Sequence, residues 1–138
     1  MSNFLHSMIR VSDPQATVDF FKLIGVEERR RKDVPQGQFT LIFLGCPGDE
    51  AEIELTHNWD QSGYDGGRNF GHLAFRVDDI YATCATIAAA GHTVHRPPRD
   101  GHMAFVKTPD GISVELLQRG DPLPPAEPWA SMANEGSW

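Results

Sequence analysis

Two histidines and two glutamates in this sequence stand in a pattern that could hold a metal ion. His6 lies in "FLHSMIRVSD" and His72 in "FGHLAFRVDD", where Phe, His, Arg, Val and Asp recur in the same order at one constant offset. Glu54 lies in "FLGCPGDEAEIEL" and Glu115 in "FVKTPDGISVEL". Each of these is an apolar run, a Pro-containing turn with Gly and Asp, and then a segment holding Glu between aliphatics. The chain is therefore internally duplicated, and the duplication carries one His and one Glu per copy. Two neutral imidazoles and two carboxylates form a borderline N2O2 donor set, suited to Ni, Co, Zn, Mn or Fe. The alternative is a cluster of His–Glu ion pairs buried for structural reasons. A lone histidine on an apolar strand reads that way, and recurrence of the whole pattern favours the metal. His57, His92, His95 and His102 lack the pairing and read as surface or pocket histidines, with His102 bordering the strand before Glu115.

The elements that must position these four residues follow from periodicity. Each half reads strand, helix, three strands. In the first half, alternation over 4–11 marks a strand. "DPQATVDFFKLIG" then reads as a helix, with Asp13 or Ser12 as N-cap, Pro14 at N1 and Gly25 as terminator. Strands follow near 26–33, 38–45 and 51–57, separated by the turn signals "PQG" and "CPGDE". The second half repeats this with a strand at 70–77, a helix at 79–90 ending at Gly91, and strands near 92–96, 102–107 and 112–118. Side chains alternate across a strand. Leu5, Ile9 and Val11 thus oppose His6, Met8 and Arg10, and Leu73, Phe75 and Val77 oppose His72, Ala74 and Arg76. Ile53 and Leu55 oppose Glu52, Glu54, Thr56 and Asn58; Ile112, Val114 and Leu116 oppose Ser113, Glu115 and Leu117. The helices need the apolar faces, so all four candidate ligands project from the other side.

The expected class is α+β, with two βαβββ modules forming a cupped mixed sheet and helices on its outer face. The first module is placed at 1–66, the second at 67–119, and a Pro-rich tail at 120–138 packs in part through Trp129. A formal charge of −7 argues against a nucleic-acid partner, and the basic run "RRRK" at 29–32 reads as a solvated strand edge. Cys46 and Cys84 form neither a disulfide framework nor a zinc-ribbon spacing. No signal peptide and no long apolar run are evident, so the expectation is a soluble cytoplasmic protein with no membrane partner.

At "FLHSMIRV", "IELTHNW", "RNFGHLAFRV" and "TPDGISVELL" the chain resembles the glyoxalase I (lactoylglutathione lyase) family of the vicinal oxygen chelate superfamily, over roughly residues 4–119. "ELTHNW" is the most diagnostic piece, since "HLAF" and "PDG" recur across the superfamily. The resemblance implies metal ligands at His6, Glu54, His72 and Glu115, and glutathione contacts at Arg10, Asn58, Arg68 and Arg96. It implies isomerisation of the hemithioacetal of glutathione and methylglyoxal to S-lactoylglutathione. Glu115 is then the principal catalytic base, with Glu54 opposite it. His6 stands where the longer zinc-dependent form carries Gln, as in the short bacterial type; this favours nickel, with cobalt or zinc as alternatives. "PPRDGHMAF" is shorter than the family's usual basic loop. The resemblance further implies a homodimer with sites at the interface, His6 and Glu54 coming from one subunit and His72 and Glu115 from the other. Rival expectations are another metal-dependent enzyme of the superfamily (epimerase, extradiol dioxygenase or thiol transferase) and a non-catalytic ligand-binding protein. The dioxygenases and transferases use a His, His, Glu set, and Glu54 speaks against them.

Overall fold

Short alternating strands, each pair of βαβββ copies punctuated by an Asp before a helix and a Gly after it, dictate two small mixed sheets with one helix apiece. The computed structural model describes residues 1–138 and divides into two compact units, Met1–Asp65 and Gly66–Trp138. The first unit contains β1 (His6–Arg10), α1 (Pro14–Lys22), β2 (Glu27–Val34), β3 (Phe39–Gly45) and β4 (Glu52–Asn58). Its sheet order is β1-β4-β3-β2, with β1 parallel to β4 and the other pairs antiparallel. The second contains β5 (His72–Val77), α2 (Ile80–Ala89), β6 (Val94–Arg96), β7 (Met103–Lys107) and β8 (Ser113–Gln118), in the order β5-β8-β7-β6. Here β5 runs parallel to β8 and the other pairs are again antiparallel.

The helix ends are set by equivalent residues. The Asp13 carboxylate accepts from the Ala16 N–H at 3.0 Å, and that of Asp79 from the Ala82 N–H at 3.0 Å. Each satisfies one of the orphan donors of a first turn. Asp13, not Ser12, is the N-cap, and Pro14 opens the helix behind it. After each helix a glycine takes a left-handed conformation, Gly25 at φ 84° and Gly91 at φ 94°, which lets the chain reverse without a Cβ clash.

Burial follows the strand parity. Ile9, Val11, Ile42, Leu44, Ile53 and Leu55 are buried together with Val18 and Phe21 of α1. In the second unit Val77, Ala104, Val106, Val114 and Leu116 are buried with Ile80, Cys84 and Ile87 of α2. Leu5 departs from the expectation: it is 69% exposed, because β1 begins only at His6 and Leu5 lies outside the part of the strand that α1 covers. Gln118, buried at the end of β8, accepts from the Ile80 N–H at 2.8 Å and donates to the Asp78 carbonyl at 2.7 Å. It thereby ties the start of α2 to the sheet.

The Pro-rich segment 120–138 lies within the second compact unit. The Leu123 N–H donates to the Gly101 carbonyl at 3.0 Å, and the Tyr81 hydroxyl to the Pro124 carbonyl at 2.8 Å. Trp129 is buried in a 3-10 turn, Trp129–Ser131. The approach at Gly101 is so close that a Cβ there would stand 2.0 Å from the Leu123 carbonyl oxygen, so any side chain would displace the segment.

Burial in α2 pushes the Cys84 thiol up to about 12, since an apolar surrounding disfavours the thiolate. At about pH 8 the native protein should therefore leave Cys84 unmodified by iodoacetamide, with alkylation appearing on peptide mapping only after denaturation. Rapid native-state modification of Cys84 would contradict the packing of α2.

Candidate metal centre

Parallel pairing of the His strand with the Glu strand builds the same small cluster in each unit. In the first, His6 is paired with Glu52 and Met8 with Glu54. His6 and Glu54 are thus diagonal neighbours on one face, with His6 Nε2 2.8 Å from Glu54 Oε2. In the second, His72 is paired with Ser113 and Ala74 with Glu115. The diagonal is the same, and His72 Nε2 lies 3.7 Å from Glu115 Oε1. The carboxylates are the more sunken partners, at 14% and 17% side-chain exposure against 39% and 42% for the imidazoles.

The next strands add two residues each. Phe43 stands opposite Glu54 and Phe105 opposite Glu115. Each ring meets its histidine edge-on: His6 and Phe43 centroids are 6.3 Å apart at 82°, and those of His72 and Phe105 are 5.2 Å apart at 90°. On the outermost strands Arg30 pairs with Phe43 and Arg96 with Phe105, each directly after a register shift that re-aims the side chain. A row of His, Glu, Phe and Arg therefore crosses each sheet.

The two arginines are used differently. The Arg30 guanidinium lies 4.0 Å from the centroid of Phe43 and grips Glu52 through two hydrogen bonds of 2.8 and 2.9 Å. Hydrogen bonding from Arg30 holds the Glu52 carboxyl below the usual glutamate range. Arg29 donates to the carbonyls of Cys46 and Asp49 at 2.7 and 2.6 Å, and Arg31 pairs with Glu28 at 2.7 Å. The expected solvated basic edge is found: β2 is the edge strand and residues 29–32 are exposed, with the three guanidinium groups also bonded to β4, the turn before it, and β2 itself. Arg96 instead donates to the Met103 carbonyl and stands 3.6 Å from the Asp100 carboxylate.

The other sequence candidates are placed as follows. Arg10, exposed on β1, and Asn58, half-buried at the end of β4, share the face of His6 and Glu54. Arg68 is exposed in the connection before β5. His57 and His95 make hydrogen bonds through Nδ1 to the carbonyls of Val11 and Glu135, at 3.0 and 2.8 Å. Sequence reasoning missed Arg30, Phe43 and Phe105. A signal was present, since Arg30 and Arg96 recur at the same offset as His6 and His72, and a Phe opens each of the paired Glu motifs.

The donor chemistry fits a divalent ion. Each unit aims an imidazole Nε2 and a carboxylate oxygen at one point on a half-open face. Two donors bound to one ion at about 2.0–2.2 Å stand roughly 3 to 3.5 Å apart; the first pair, at 2.8 Å, is slightly closer than this and the second, at 3.7 Å, slightly wider. Neither unit by itself gathers three or more His, Cys, Asp or Glu side chains around such a point.

The sequence matches the family described as the glyoxalase/bleomycin resistance protein/dioxygenase superfamily over residues 3–116. The chain belongs to this superfamily. Within the glyoxalase superfamily it is 46% identical over 129 residues to a Vibrio cholerae protein named "Probable lactoylglutathione lyase", covering 86% of this chain and 93% of that one. It is 43% identical over 124 residues to the lactoylglutathione lyase of Neisseria meningitidis, covering 83% and 89%. Among solved structures, the trypanothione-dependent glyoxalase I of Leishmania major superposes with a TM-score of 0.80 at 34% identity, covering 86% of this chain and 87% of that one. The α+β fold of two four-stranded mixed sheets is that of the glyoxalases. No helix is long and apolar enough to cross a membrane.

Arg30→Ala should raise the Glu52 pKa back toward the ordinary glutamate range. Carboxyl chemical shifts followed by NMR titration check this. An unmoved Glu52 titration would show that Arg30 does not set it.

Proposed function

We propose that the chain is a lactoylglutathione lyase, which isomerises the hemithioacetal of glutathione and methylglyoxal to S-lactoylglutathione and so removes a toxic aldehyde. The observation that carries this reading is the duplicated His–Glu pair, His6 with Glu54 and His72 with Glu115, in a chain up to 46% identical to proteins of that name. We assign His6, Glu54, His72 and Glu115 as the residues that hold one divalent ion, nickel by preference and cobalt or zinc as alternatives. When bound, that ion supplies Lewis acidity toward the two substrate oxygens.

The protein's own groups carry the proton. The reaction removes a proton from the sulfur-bearing carbon and delivers one to the neighbouring carbon, with the oxygen-bound proton relocating. Nothing is oxidised or reduced overall. Glu115 is the principal base for this transfer, and Glu54 serves the opposite face. A carboxylate sunk into a sheet beside a phenylalanine suits this role, because its limited exposure keeps competing water away. Arg10, Asn58, Arg68 and Arg96 bind the thiol cosubstrate, with guanidinium forks matching its carboxylates. Of these, Arg96 must give up or share its hold on Met103 and Asp100 to do so.

The site is completed by a second copy. Each unit holds one imidazole and one carboxylate and leaves its His strand, β1 or β5, at the sheet edge. Phe4, Leu5, Met8 and Phe70 on or beside those strands are exposed, which supplies apolar surface for pairing. A homodimer then takes His6 and Glu54 from one subunit and His72 and Glu115 from the other. The free thiols Cys46 and Cys84 accord with a reducing, cytoplasmic setting.

Metal-stripped protein should gain thioester formation from methylglyoxal plus glutathione when Ni, Co or Zn is restored. Failure with every metal would redirect the assignment to another reaction of the superfamily. Glu115→Gln should lower kcat at least about 100-fold with unchanged circular dichroism, the lower end of what a positioned general base contributes. In light scattering the active species should have twice the monomer mass; an active monomer would remove the two-chain site.

A further inference from the structure

The two rows of His, Glu, Phe and Arg diverge at one point, the face of the phenylalanine ring. On Phe43 that face carries the Arg30 guanidinium, 4.0 Å from the ring centroid. On Phe105 it carries the indole of Trp138, stacked at 5.5 Å between centroids with an interplanar angle of 19°. Arg96, the counterpart of Arg30, is held instead by Met103 and Asp100. An aromatic side chain from the 120–138 segment thus stacks on Phe105, where the first unit sets a cation against the equivalent Phe43.

The indole is delivered by a hydrogen-bonded path. Arg99 donates to the Met132 carbonyl at 3.0 Å and to Asn134 Oδ1 at 2.7 Å. The Glu135 N–H donates to the His95 carbonyl at 2.8 Å, and His95 Nδ1 is 2.8 Å from the Glu135 carbonyl, so Glu135 is tied on both sides to β6. Gly136, at φ 70°, then turns the chain so that Trp138 reaches Phe105. Under this cover Phe105 is only 7% exposed, while Trp138 remains 43% exposed. The other edge of the Phe105 ring environment is His72, at 5.2 Å and 90°.

We infer that Trp138 is a specificity-determining residue, which fills an aromatic subsite on Phe105 beside the His72–Glu115 pair and thereby restricts the aldehyde to small substituents. This rests on the lyase reading above. A methyl group needs no stacking surface. An aryl substituent would want the face of Phe105, and the indole already holds it. Removing the indole uncovers a flat apolar ring next to the reacting pair, and an aryl group can stack there in its place. The indole is half-exposed and anchored through backbone contacts upstream of it, so its loss leaves the core of the second unit intact.

The experiment compares wild type, Trp138→Ala and Trp138→Phe, each loaded with metal, on the hemithioacetals of methylglyoxal and phenylglyoxal. Calorimetric binding of S-methylglutathione and S-benzylglutathione gives a readout independent of turnover. Trp138→Ala should raise the phenylglyoxal-to-methylglyoxal ratio of kcat/KM by about fivefold, through KM, and tighten S-benzylglutathione about fivefold while leaving S-methylglutathione unchanged, the scale of one aromatic stacking contact. Trp138→Phe should keep the wild-type ratios. An unchanged ratio in an active Trp138→Ala enzyme, or a selective loss of the aryl ligands, would overturn the assignment of Trp138 and leave the lyase reading standing. A wild type that binds both glutathione conjugates but turns over neither hemithioacetal would refute the lyase reading instead, and the S-benzyl to S-methyl affinity ratio would still decide whether Trp138 occupies an aryl subsite.

Discussion

The rest of the structure depends on the register of one parallel strand pair, made twice. In β1·β4 and in β5·β8 the histidine sits two residues before the partner of the glutamate. Because paired residues project to the same face, this register alone sets an imidazole and a carboxylate diagonally across from each other. A slip of one residue would send one partner into the hydrophobic core and leave the other unpaired on the half-open face. Both outcomes are costly: a carboxylate with limited access to water needs a cation or a donor. The register is protected from the other side of the sheet, where Ile53, Leu55, Val114 and Leu116 are buried and cannot change faces.

Around that constraint the two units have been allowed to differ. Glu54 approaches its histidine at 2.8 Å and Glu115 at 3.7 Å. The first unit surrounds its pair with charge, Arg30 bridging Glu52 and the Phe43 ring. The second surrounds its pair with aromatic surface, Trp138 covering Phe105. Duplication has thus kept the register of the His–Glu pair while its surroundings diverged.

Much of this was legible in the sequence. Asp13 and Asp79 before the helices and Gly25 and Gly91 after them marked the element boundaries to within a few residues, because capping and left-handed turns depend on single side chains. Strand parity placed His6, Glu54, His72 and Glu115 opposite the apolar faces, because a period of two leaves no other choice when one face must be buried. Other features were not legible. Leu5 alternates correctly and yet is exposed, since alternation does not say where the covering helix ends. The arginines at 29–31 have the composition of a solvated edge, and only the register shift before Arg30 turns its guanidinium onto Phe43.

The sequence by itself determined the duplication, the module order, the His and Glu recurring in each copy and the face they share. These are local properties, fixed by spacing along the chain and by the demand that apolar side chains leave water. The tertiary structure decided which His meets which Glu, which phenylalanine stands beside each, and that Trp138, far from β7 along the chain, closes over Phe105. Those contacts join residues distant in sequence, so they depend on pairing register, bulges and the path of a segment with no periodicity of its own. No local pattern encodes such a path, and it exists only once the sheets that anchor it have formed.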